Sequence, residues 1–139
     1  MEINNPKPLI FVLTIAMDVI ILYILKNQHL NCFDEQFAVA VLACHLIFLY
    51  AIHKNISSVV DCLHCMIFIA LGLGVFLENR YLLLMCLVLL IVIHVLWWIC
   101  GECIINRISR VDQLTPETSN SIEILAMAFT FIYLCKLFF

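Results

Sequence analysis

From Tyr81 to Ile105 the sequence runs for 25 residues in which His94 and Glu102 are the only acidic, basic or imidazole side chains. As a helix, that stretch is about 37 Å long at 1.5 Å per residue. About 20 predominantly apolar residues already cross the hydrocarbon core of a bilayer. Four further apolar stretches accompany it: Leu9 to Leu25, Phe37 to Ile52, Val59 to Leu77 and Ile122 to Phe139. Polar breaks as short as Lys26-Asn27-Gln28, His53-Lys54 and Glu78-Asn79-Arg80 separate the first four runs. Hydrophobic residues make up 65% of the 139-residue chain, against roughly 45–50% in an average soluble domain. A domain this small has too much surface to hide so many apolar side chains in water. None of the runs alternates with period 2, which favours helices over a β-barrel. The expected fold is an all-α integral membrane bundle of five transmembrane helices in a single domain, residues 1–139, with spans at about 9–25, 37–53, 59–77, 81–105 and 122–139. If the second run dips in and returns, the spans number four. The first two runs are short, and local thinning of the bilayer or snorkelling of their flanks would accommodate them.

The net charge is −3 and no basic run is present, which argues against a nucleic-acid partner, since that needs a Lys/Arg face. Asp18 sits mid-way along the first run and no small-residue cleavage site follows it, so that run reads as a span and not as a signal peptide. Five spans put the two termini on opposite sides. The N-terminal side, here side A, holds Lys7, Lys54, Arg107 and Arg110, and side B holds Lys26 and Arg80. The positive-inside rule then favours side A as cytoplasmic. Thr115-Pro116-Glu117 and Asn120 with Glu123 are alternative starts for the last helix. The sequon Asn55-Ile56-Ser57 is squeezed between two spans and reads poorly as a glycosylation site. Sets of small residues, Ala70/Gly72/Gly74, Ala38/Ala40/Ala43 and Ala126/Ala128, offer faces on which helices can approach closely.

Ionisable groups inside apolar runs are costly, so each begins as a site hypothesis. A hairpin folded about residues 31–32 puts Asp18 and His45 at one depth. Reflection about Asn79 does the same for His64 and His94. Each pair reads either as polar glue between helices or as chemistry: a proton or ion pathway through Asp18, His45 and His94, or a metal at the two histidines. Lys136 lies near the end of the last run and can snorkel to the interface. Trp97-Trp98 mark a membrane boundary, beyond which Ile104, Ile108 and Val111 continue a helical stripe.

Eight cysteines include two CxxC pairs, Cys62/Cys65 and Cys100/Cys103, which the five-span topology brings toward side A. Three readings compete: a zinc site on Cys62, Cys65, Cys100 and Cys103, a redox pair at Cys100 and Cys103, or plain helix packing by small apolar thiols. Cys100-Gly101-Glu102-Cys103 resembles the reactive pair of small bundle enzymes that pass electrons from thiols to quinone, the vitamin K epoxide reductase and DsbB types. The resemblance covers four residues. Those families also use a second cysteine pair in a loop on the same side, whereas the only loop cysteine here, Cys32, is on side B.

No phosphate loop, zincin motif or nucleophile–base pair is present, and no cofactor is expected. The stretch His94 to Asn106, His-x-x-Trp-Trp-x-Cys-x-x-Cys-x-x-Asn, resembles small multispan membrane proteins of large DNA viruses with an internal membrane. That resemblance implies a minor capsid or inner-membrane component of the virion. The expected function is therefore a non-enzymatic membrane scaffold or anchor. Its expected partners are the lipid bilayer and other membrane or capsid proteins, with Arg107 and Arg110 in the side-A loop as the partner or lipid contact.

Overall fold

The computed structural model describes the backbone of residues 6–100 and 116–139, and the side chains of residues 6–99 and 123–139. Five helices follow one another, α1 (Lys7–Asn27), α2 (Cys32–Lys54), α3 (Ser57–Gly74), α4 (Arg80–Cys100) and α5 (Pro116–Phe138), with no strand among the described residues. Four of them, α1 to α4, are long and apolar enough to cross a membrane, which is consistent with a multipass membrane protein.

The helix ends explain where these bounds depart from the apolar runs. Pro8 sits in the first turn of α1, where its missing N–H costs no intrahelical bond. α2 starts five residues before its apolar run, because Asn31 caps it: the Asn31 side chain accepts from the Asp34 N–H at 2.7 Å. Asp34 and Glu35 in that first turn also suit the positive end of the helix dipole. α2 is therefore a continuous helix of 23 residues, long and apolar enough to cross a membrane. It ends at Asn55, the one described non-glycine residue with positive φ, 58°, a conformation Asn tolerates better than most residues. The Asn55 side chain accepts from Lys7 Nζ. The asparagine of the sequon thus closes α2 and ties it to the start of α1. Asn79 caps α4, its Oδ1 accepting from Tyr81 N at 3.0 Å and Leu82 N at 3.2 Å. α5 begins at Pro116, the earlier of its two expected starts.

Short connections make successive helices antiparallel neighbours. α1 packs on α2, α2 on α3, and α4 closes the ring by touching both α3 and α1, while α5 lies along α4. One core cluster, which includes Ile21, Phe37, Leu71, Leu82, Leu90 and Tyr133, occupies the side-B half and the middle. A second, Ile10, Phe48, Ala51, Ile52 and Val60, occupies the side-A end. Large apolar residues such as Leu22, Leu46, Ile69, Phe76 and Trp98 stay exposed around the ring. Water would penalise a surface of that kind, and lipid does not.

Of the small-residue sets, only part is used for close approach. Ala38, Ala126 and Gly74 are buried, whereas Ala40, Ala43 and Ala128 are exposed.

Candidate functional site

Besides the Lys7–Asn55 contact, polar side chains of different elements meet at two places among the described residues. The first is the α1–α2 interface, where His45 Nδ1 donates to Asp18 Oδ1 at 2.6 Å. Both side chains are mostly buried, at 18% and 14% exposure. Asp18 falls in the middle of α1 and His45 in the middle of α2, so antiparallel packing about the 28–31 connection is what brings them together.

The second is the side-B end of α3, where the helix is stopped rather than allowed to fade. In an uninterrupted helix the N–H of Glu78 would bond Gly74 O, and that of Asn79 would bond Val75 O. Asp34 takes both donors instead: its Oδ1 accepts from Glu78 N at 3.2 Å and its Oδ2 from Asn79 N at 2.8 Å. Asn31 reinforces the junction by donating from Nδ2 to Glu78 Oε2 at 2.9 Å. With its continuation diverted, α3 tightens into i to i+3 bonds, Val75 N to Gly72 O, Phe76 N to Leu73 O and Leu77 N to Gly74 O. Hence α3 ends at Gly74, three residues before its apolar run does.

That tightening releases two carbonyls, and α5 supplies donors for both. The Tyr133 hydroxyl donates to Leu71 O at 2.7 Å, and Lys136 Nζ donates to Val75 O at 2.6 Å. Tyr133 is fully buried. It fits because Gly74 has no side chain: a Cβ there would collide with the Tyr133 hydroxyl. Lys136, expected only to snorkel, has a definite partner and places its charge at the negative end of the α3 dipole.

The histidines assigned to one depth on α3 and α4 each have a neighbour on their own helix in the described structure. His94 Nδ1 donates to Leu90 O, one turn back on its own helix, at 2.7 Å, and its ring stands 6.1 Å from that of Trp97. His64 is half-buried, with its ring 6.4 Å from Phe68. Cys62 and Cys65 are exposed free thiols on α3. Among the described residues, no three His, Cys, Asp or Glu side chains converge to hold a metal. The Cys100 side chain, Cys103, Arg107 and Arg110 lie outside the described residues, and with them the far half of the zinc reading, the redox pair and the expected loop contact.

Depth along the runs singles out neither Asp34 nor Asp61. Asp34 looks in sequence like half of an Asp-Glu boundary mark, yet its carboxylate is 1% exposed and joins two connections. The Asn31-x-x-Asp34 spacing, a helix cap followed by an acid at the third position, was the available signal. Asp61 lies near the start of α3, and its Oδ1 and the Trp97 Nε1 are buried without a hydrogen-bond partner among the described residues.

No family model, curated protein or solved structure matches the chain.

Proposed function

We propose that this protein is a non-enzymatic, five-span membrane scaffold whose output is a rigid set of helices held at fixed positions in a bilayer. The observation that carries this reading is where its polar side chains go. Asp34, Tyr133, Lys136, Asn55 with Lys7, and Asp18 with His45 all bond helix to helix or helix to connection. Polar groups spent on joining segments are the mark of a bundle selected for its shape. α5 is the fifth span in this reading, which its contacts support: its C-terminal end meets the side-B end of α3 and it lies along α4.

A scaffold acts through what it holds. Arg107 and Arg110, on the side-A connection between α4 and α5, are the proposed contact for an acidic protein partner or lipid headgroups. In a virus with an internal membrane, which the His94–Asn106 resemblance suggests, that partner is a capsid protein and the scaffold ties shell to bilayer.

Cross-linking the full chain in its native membrane and sequencing what it captures tests the reading. Stable protein neighbours are expected, with capture lost when Arg107 and Arg110 are both changed to Ala. Absence of any neighbour overturns the scaffold role. So does a Cys100–Cys103 pair that alkylation and mass measurement find cycling between reduced and oxidised forms with added quinone.

A further inference from the structure

Between Asp61 and Glu78 the chain carries no acidic or basic side chain other than His64. Asp61 therefore marks where α3 leaves the headgroup zone on side A. Cys62 follows it directly, and Cys65 is one turn deeper. The reflection about Asn79 that matches depths on α3 and α4 sets Cys62 level with Leu96, next to the Trp97-Trp98 belt. Both thiols are free and exposed, and at three residues apart they share one side of the helix. Cys86, by contrast, is buried, and Cys44 and Cys135 are half-buried.

The same side of α3 continues toward the middle of the membrane as Met66, Ile69 and Leu73, all exposed. With Cys62 they keep the i, i+4, i+7, i+11 spacing of a single helix face. From Cys62 to Leu73 is about 16 Å of helix at 1.5 Å per residue, close to one leaflet of a hydrocarbon core about 30 Å thick. A thiol at the headgroup boundary, above a bare apolar lane one leaflet long, is placed for S-acylation. We infer that Cys62, with Cys65 as a second acceptor, carries a fatty acyl chain as a thioester, taken from a long-chain acyl-coenzyme A on side A and laid along Met66, Ile69 and Leu73. The cysteine sulfur attacks the carbonyl carbon of the donor thioester. A new carbon–sulfur bond replaces the one to coenzyme A, which leaves as a thiol with the proton that the cysteine gives up. The exchange is neutral in electrons and needs no oxidant. Acyl-coenzyme A is a cytoplasmic reagent, so the inference rests on the membrane reading and on side A as the cytoplasmic face. Cys32 is the internal control: it is exposed as well, but it starts α2 on side B, away from the donor.

The full chain is isolated from the membrane in which it is made, and its free thiols are blocked with N-ethylmaleimide. Neutral hydroxylamine then cleaves thioesters, and the thiols it releases are tagged with a polyethylene-glycol maleimide. A gel shift that requires hydroxylamine is expected, abolished in the Cys62→Ser/Cys65→Ser double variant and unchanged in Cys32→Ser. Mass mapping of the unaltered chain should place the acyl group on the peptide that holds Cys62 and Cys65, and it decides the matter if the double variant does not accumulate. No hydroxylamine-dependent shift, or a shift that the double variant keeps in full, overturns the inference. An acyl group on Cys32 overturns it too, and reverses the orientation. A chain that alkaline carbonate strips from the membrane overturns the membrane reading itself, whereas one that stays and carries no thioester overturns only the acylation.

Discussion

Gly74 and Gly72 sit two positions apart on α3 and have opposite tolerances. A Cβ at Gly74 would enter the space of the Tyr133 hydroxyl and come within 3.4 Å of Cys86 Sγ, whereas at Gly72 it would meet Phe129 Cζ at an ordinary 3.6 Å. Gly74→Ala is therefore expected to destabilise the bundle by about 1–3 kcal/mol, as overpacking does. Gly72→Ala should be neutral or stabilising by up to about 1 kcal/mol, through the reduced freedom of the unfolded chain. Unfolding of the two variants side by side in mixed micelles checks the pair, and equal losses would contradict the geometry. Asp34 supplies the second residue-scale test. Asp34→Ala strips partners from the Glu78 and Asn79 N–H groups and is expected to cost about 1–3 kcal/mol. It should also speed amide hydrogen exchange at residues 78 and 79, which a general loss of packing would not single out.

At the scale of the helix, the distinction is between contacts within neighbouring pairs and contacts that reach across the fold. Asp18 with His45 belongs to the first kind, and a double-mutant cycle with Asp18→Asn and His45→Ala should return a coupling of about 0.6 kcal/mol, the usual worth of polar pairs between membrane helices. Tyr133 belongs to the second, and Tyr133→Phe should cost about 1 kcal/mol by leaving Leu71 O without its donor. The pairwise contacts could be read from the amino-acid order. Five apolar runs separated by polar breaks announce five helices, and equal distances from a connection put Asp18 beside His45. The rest could not, for a physical reason. Asp34 meets residues 78 and 79, and Tyr133 meets Leu71 and Gly74, only once the ring has closed, and no local spacing encodes a closure between segments more than forty residues apart. The end of α3 at Gly74 is a case in point. Leu77 is as apolar as anything before it, and the helix stops because a carboxylate from another element takes the N–H groups it would have continued with. His94 illustrates the reverse. Its depth matches that of His64, yet its Nδ1 is committed to the Leu90 carbonyl of its own helix.

For the whole molecule, five crossings make a prediction that four do not. With the other cysteines replaced, Cys32 at the start of α2 and Phe138→Cys at the end of α5 should react with an impermeant maleimide from the same side of a sealed vesicle, and Ser58→Cys at the start of α3 from the other. Labelling of Phe138→Cys together with Ser58→Cys would leave α5 on one side and return the count of crossings to four. The diverted end of α3 has a further consequence, which concerns the order in which the protein is made. α5 follows the ring in the chain, so the ribosome completes α1 to α4 first. At that moment Asp34 can already have drawn off the N–H groups of Glu78 and Asn79, yet the carbonyls of Leu71 and Val75 still wait for Tyr133 and Lys136. A buried backbone carbonyl left without a donor costs about 1–3 kcal/mol. The half-made protein therefore carries an unsatisfied notch shaped for one later segment, and that notch gives α5 both an address and a reason to stay.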